Sequence, residues 1–138
     1  MDRVAIAVAI IAVAALVAVV VRRRQPTAAP TAPEHAIPAQ LDRADFASPQ
    51  APWLVAVFTS ATCDACHEVW SKTELLASDA VAVERVEYPA DRARHERYKV
   101  DAVPMVLVAD AAGVVVHHTL GPINAADLWT AVANARGD

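Results

Sequence analysis

Hydrophobic and polar positions along this chain fall into two regimes. From Val4 to Val21, eighteen residues in a row are apolar, "VAIAVAIIAVAALVAVVV". Coiled as one helix at ~1.5 Å per residue they would run roughly 27 Å, close to the ~30 Å of a bilayer's hydrocarbon core. From Leu41 onward the apolar residues come instead in short runs and stripes broken by charges, prolines and glycines, as in a packed domain of roughly a hundred residues. Between the two, Gln25–Gln40, "QPTAAPTAPEHAIPAQ", has no periodic apolar face and reads as an extended, semi-rigid tether. Fully stretched it reaches on the order of 50 Å, enough to hold a domain clear of a membrane. No chemistry is expected of His35 within it. The expected division is an anchor over 1–24, a linker over 25–40 and a domain over 41–138.

Within the domain, Asp42 is placed to cap a short helix over "LDRADFA", with Phe46 as its core anchor. Trp53–Phe58, "WLVAVF", is a continuous apolar run of strand length, the pattern of a strand covered on both faces. A helix beginning at Cys63 sets Cys66, Val69, Trp70, Thr73, Leu76 and Ala77 at the three- and four-residue spacing of a buried stripe. Val81–Tyr88 is a second strand ended by Pro89, and Asp91–Tyr98 a short polar helix carrying little core. Met105–Ala109 is a third strand introduced by Pro104, and the turn Asp110–Gly113 leads it back into Val114–Leu120 as an antiparallel partner. Asn124 caps a last helix with Asp127 at its third position, and Leu128, Trp129 and Val132 form its buried side. The order is β-α-β-α-β-β-α, without an internal repeat. Trp53, Trp70 and Trp129 all fall at expected core positions.

Charge changes this picture in two places. The net charge of −4, with no basic patch interleaved with aromatics, argues against nucleic acid as a partner. The apolar run is followed at once by Arg22, Arg23 and Arg24. A cleaved secretory signal has a shorter apolar stretch of ~7–15 residues and a small-residue cleavage site. Residues 4–21 are therefore expected to be a permanent single-pass anchor in the lipid bilayer of a cell membrane. The arginine excess behind the helix favours an outside N-terminus and a cytoplasmic C-terminal domain, the extracytoplasmic arrangement being the alternative.

The candidate chemistry is concentrated in Cys63-Asp64-Ala65-Cys66-His67, which holds both cysteines of the chain. Two residues three apart on a helix's first turn sit side by side, so their thiols can join and separate without moving the backbone. The unpaired N–H groups of the helix start favour a thiolate at Cys63, while the carboxylate of Asp64 opposes it. His67, one turn after Cys63, is a candidate partner for that thiolate or a proton carrier; the alternative is a solvated residue beside Glu68, Ser71 and Lys72. The same five residues match the Cys-x-x-Cys-His pattern of covalent haem attachment, with Met105 as a candidate axial ligand. Against haem stand the buried strand directly before the motif and the extracytoplasmic site of haem attachment. Zinc needs four ligands, and no second ligand pair follows; His117 and His118, adjacent on a strand, point to opposite faces. Neither a cofactor nor a metal is expected. A haem or metal carrier and a non-enzymatic binding module are the alternatives to redox chemistry. No nucleophile triad, phosphate loop or pair of catalytic carboxylates is present.

The strand "WLVAVF" running into the Cys-x-x-Cys, the segment "YKVDAVPMVLV" (Tyr98–Val108), and Gly121 followed by an amphipathic helix together resemble the thioredoxin-like family. The resemblance covers about Leu41 to the C-terminus and implies an α/β thioredoxin-like fold: a central mixed sheet flanked by helices, here with a membrane anchor ahead of it. It further implies a thiol–disulfide oxidoreductase acting on protein thiols and disulfides at or in the membrane. Cys63 would be the exposed nucleophile and Cys66 the buried resolving thiol. Pro104 would be the cis-proline packed against the dithiol, and Val103 would offer its backbone to an extended substrate. Departures from the family are specific. The buried carboxylate expected six residues before the first cysteine is Val57, the usual Trp before that cysteine is Thr62, and Asp64-Ala65 replaces Gly-Pro. Arg85 stands where the family often has a lysine beneath the dithiol; it can stabilise negative charge but not shuttle a proton. The resemblance with these departures implies a specialised thiol–disulfide protein.

Overall fold

The computed structural model describes residues 2–24 and 35–137, and the chain divides into two units, 1–34 and 35–138. In the first unit, helix α1 (Asp2–Arg24) encloses the whole apolar run. Its side chains are described over residues 5–8 and 10–18, and there the large apolar ones, Ile6 to Val17, are exposed. Among the described residues no helix is long and apolar enough to cross a membrane. The expected linker lies outside the described residues as far as Glu34.

The second unit is built on one four-stranded sheet. Strands β1 (Trp53–Ser60), β2 (Val81–Tyr88), β3 (Met105–Ala109) and β4 (Val115–Leu120) lie in the order β2-β1-β3-β4. β1 pairs parallel with β2 and antiparallel with β3, and β3 pairs antiparallel with β4. The sheet is mixed because β1 reaches β2 through a helical crossover, α2 (Asp64–Thr73), whereas β3 and β4 are joined by a tight turn. Helices α3 (Arg92–Arg97) and α4 (Ala125–Arg136) complete the domain.

Alternation along β1 sends side chains to two cores. Leu54, Ala56 and Phe58 join Met105, Leu107, Val86 and Val100 on one face, closed by Leu41 and Phe46. Val55 and Val57 join Val106, Val108 and Val81 on the other, closed by Val69 of α2 and Leu128 and Val132 of α4. β1 is thus covered on both faces and bonded on both edges, as its continuous apolar run requires.

Several local expectations change. The helix at 41–47 is a single 3-10 turn, Arg43–Asp45, whose cap Asp42 accepts a hydrogen bond from the Ala44 N–H. The chain joins the domain before Leu41: Ile37 packs on the first core, Gln40 bridges Val114, and the Leu41 N–H donates to the Gly113 carbonyl at 2.8 Å. Gly113, at φ +81°, has no room for a side chain, since a Cβ there would sit 2.0 Å from the Leu41 oxygen. Trp129 is not a core residue but is 46% exposed, because the i, i+4 pair Leu128 and Val132 occupies the buried stripe of α4. Trp53 and Trp70 are half-buried against the second core. α3 contributes to the core after all, through His95, which is buried with its Nε2 3.0 Å from the Val86 carbonyl.

α3 is fastened by charges. Arg94 donates through Nε to Asp91 at 2.6 Å and through Nη1 to Glu84 of β2, also at 2.6 Å. The Arg94 hydrogen bond holds the Asp91 carboxyl below the usual carboxylate range, against the opposing effect of partial burial. A depressed carboxyl stabilises the fold above its unfolded pKa of ~3.9 and loses that contribution as pH falls through the folded value. Asp91→Asn keeps a helix-capping side chain and removes only the charge. The variant is expected to unfold at lower urea than the parent at pH 7, with the gap narrowing as pH falls below the unfolded carboxyl pKa of ~3.9; a gap independent of pH would show that the charge contributes nothing.

Candidate active site

The cysteine pair sits at the end of β1 because that strand stops there. After Ser60 the chain turns, with the Ala61 N–H donating to the Tyr88 carbonyl at 2.9 Å and the Cys63 N–H to the Ser60 carbonyl at 3.2 Å. Cys63 then caps α2: its backbone is extended and its Sγ accepts the Cys66 N–H at 3.2 Å. The two cysteines are joined in a disulfide across 5.3 Å between Cα atoms. Cys63 is half-buried and Cys66 fully buried, so the two sulfurs of one bond face different surroundings.

Register brings the proline loop to the same place. Phe58 pairs with Met105, the first residue of β3, and Val103–Pro104 directly precedes it. The Val103–Pro104 peptide bond is cis. On the other edge Ser60 pairs with Tyr88. Tyr88, Ser60 and Val103 line a cleft of about 330 Å³ together with His95, Val100 and Asp101. Asp101 in turn accepts His35 Nδ1 at 3.0 Å, so the residue expected to be inert in the linker touches the rim of this cleft.

Beneath α2, on the Val57 face, lies a polar group among valines. Thr59 is fully buried, and its Oγ1 accepts Arg85 Nε at 3.0 Å. Arg85 forms an ion pair with Glu87, and its guanidinium carbon lies 5.9 Å from the Trp70 ring centroid. Arg85 pairs in register with Val57, and Glu87 with Thr59.

The structure thus sets Cys63 and Cys66 just past the end of β1 and Val103–Pro104 just before the start of β3, whereas Arg85 pairs with Val57 in mid-strand. His67 stands exposed on α2. Met105 is fully buried in the core on the sheet face away from α2, so Met105 and His67 cannot flank one haem iron. Among the described residues no group of three His, Cys, Asp or Glu side chains could hold a metal ion. Sequence reasoning missed Thr59, Glu87, Tyr88 and His95. The signal for the first two was their period of two from Val57 and Arg85, which marks them as neighbours on one face.

No family profile and no curated protein sequence matches the chain. Solved structures do match in fold. A mutant thioredoxin from Halobacterium salinarum NRC-1 superposes with a TM-score of 0.54 at 21% identity, covering 62% of this chain and 75% of that one. A thioredoxin of Fasciola hepatica does so with 0.54 at 21% identity, covering 63% and 84%. A reduced Schistosoma mansoni thioredoxin pre-protein gives 0.52 at 18%, covering 62% and 80%. At these identities the likeness establishes the thioredoxin-like fold, in which this chain carries the close, disulfide-bonded pair Cys63–Cys66.

The unequal burial of the two sulfurs predicts unequal reactivity once the bond is reduced. An alkylating agent should modify Cys63 many times faster than Cys66, read by mass spectrometry of quenched peptides. Equal rates or the reverse order would contradict the assignment of Cys63 as the attacking thiol.

Proposed function

We propose that this protein is a membrane-tethered thiol–disulfide oxidoreductase whose substrates are protein thiols and disulfides. The observation that carries the reading is the asymmetric cysteine pair, half-exposed at Cys63 and buried at Cys66, at the start of a helix that follows a fully buried strand. Cys63 attacks a substrate disulfide, and Cys66 resolves the mixed disulfide by closing the bond seen here. The cis Val103–Pro104 segment, directly before the paired Met105 and with Val103 lining a cleft beside Ser60, supports a role in receiving an extended substrate strand beside the dithiol.

Tethering is supported by the sequence of residues 4–21 and by the exposure of the described apolar side chains of α1, which have no buried face of their own. Arg22–Arg24 support a cytoplasmic domain, where a reducing environment would make the protein a reductant. Protease added to intact cells should then leave the domain uncut until the membrane is opened; digestion in intact cells would overturn the cytoplasmic orientation.

The exchange reading itself is tested by trapping. Cys66→Ser removes only the resolving thiol, so covalent complexes released by reductant should accumulate on it in cells, enriched in membrane proteins, and few on Cys63→Ser. A Cys66→Ser variant that traps no more than the double variant would overturn the reading in favour of a binding module.

A further inference from the structure

β4 closes one side of the sheet, and its outer edge is covered over only part of its length. At its start the Leu41 N–H donates to the Gly113 carbonyl and the Val115 N–H to the Ala39 carbonyl, so residues 39–41 lie along that edge. The chain then leaves it: Ile37 packs on the first core and His35 reaches Asp101. From Val116 to Leu120 the outer edge has no backbone partner among the described residues. The Gly121 N–H turns inward to the Pro104 carbonyl, so ladder alternation turns the N–H and C=O of Leu120 and His118 outward. Open edges are ordinarily guarded by lysine, acidic residues, proline or a bulge. Val114–Leu120 has none of those residues, and its register shift lies between Val115 and His117, at the covered end. Val116 and Leu120 are 47% and 41% exposed.

A groove of about 420 Å³ lies beside this strand, between β4 and one flank of α4. Helix periodicity sets that flank. Leu128 and Val132 face the core, and Trp129 turns toward α2, where its indole N–H bonds the Lys72 carbonyl. Asp127, Ala131 and Asn134, four and three residues apart, therefore take the opposite flank and line the groove with Thr130 and with His117 of β4. The Asp127 carboxylate and the side-chain oxygens of Thr130 and Asn134 are acceptors, and no lysine or arginine lines the groove. His117 and Thr119 pair with Val108 and Val106 of the second core, which places both on this side of β4. Their Nε2 and Oγ1 atoms are buried with no hydrogen-bond partner. Buried polar atoms are ordinarily paired, so the domain's own groups leave this flank unfinished.

We propose that the open edge of β4 receives an extended segment of a partner protein, with a lysine or arginine side chain of that segment seated in the groove against Asp127. Main-chain bonds to His118 and Leu120 hold the added strand, and its alternate side chains give specificity. On the α4 face, a carboxylate among acceptors suits a cation that carries several donors. On the other face, Leu120, in register with Met105 of the first core, suits an apolar side chain. A second copy of this chain is the poorer occupant. β4 against β4 about a two-fold axis would bring two Asp127 flanks together with no lysine or arginine lining either groove. Docking at this edge needs no cysteine chemistry.

The probe is the peptide acetyl-Val-Thr-Val-Arg-Val-Thr-Val-amide, labelled with a fluorophore and titrated with full-length protein in a neutral detergent. Anisotropy should show saturable binding. Glutamate in place of the peptide's arginine should weaken binding at least about tenfold, because it sets like charges together. N-methylation of alternate peptide residues removes main-chain donors, leaves the protein untouched, and should weaken binding at least about tenfold too. His118→Pro removes one outward N–H at an edge position that tolerates proline, and should act in the same direction. Asp127→Asn should bring the arginine and glutamate peptides to within about twofold of each other. No binding by the parent, equal binding of the two peptides, or an N-methylated peptide that binds as well as the first would each overturn the proposal. Self-association of the full chain in place of peptide binding, abolished by His118→Pro, would assign the edge to a second copy and overturn it as well.

Discussion

The pairing of β1 on both of its edges is the constraint on which the site depends. Trp53–Ser60 is bonded to β2 along its whole length and to β3 from Leu54 to Phe58. Its apolar side chains feed both cores, so its end cannot shift without disturbing either. That rigidity sets where the chain may turn, and the turn at Ser60–Cys63 is bonded back to the Tyr88 and Ser60 carbonyls. Ser60, Tyr88 and Val103 meet at one cleft because three strands are held in register.

Around that end the two sheet faces carry different groups. The face toward α2 holds the buried sulfur of Cys66 and the polar group of Thr59, Arg85 and Glu87. The face toward α3 holds the cleft lined by Tyr88, His95 and Val103, with the His95 ring edge-on to Phe58 at 5.2 Å between centroids.

The strands and α2 were legible in the sequence because each has a single strong signal. Continuous apolar runs mark β1 and β3, and the stripe through Cys66, Val69 and Thr73 marks α2. What was not legible had its polarity satisfied locally. His95 sits in a polar hexapeptide, yet one backbone carbonyl and two aromatic rings make its burial tolerable. Residues 35–40 read as tether from their prolines and alanines, whereas their attachment runs through backbone pairing with Val114 and Val115, which composition does not encode. Trp129 was assigned inward by spacing alone; it lies across the rim, its indole N–H donating to the Lys72 carbonyl at 3.4 Å. The polar group beneath α2 was half legible: Arg85 was visible by its strand position, but its partners Thr59 and Glu87 emerge only when the register of β1 and β2 is known.

The central claim is that Cys63 and Cys66 cycle between disulfide and dithiol within the folded domain. Its most direct measurement is a redox titration of the full-length protein against graded dithiothreitol buffers, with free thiols labelled after an acid quench. The account predicts one reversible two-electron transition in which a tenfold change in the ratio of dithiol to disulfide corresponds to ~30 mV. The same curve should be reached from the oxidised and the reduced side. A disulfide that opens only when the domain unfolds, or thiols that never close under oxidising buffers, would contradict it.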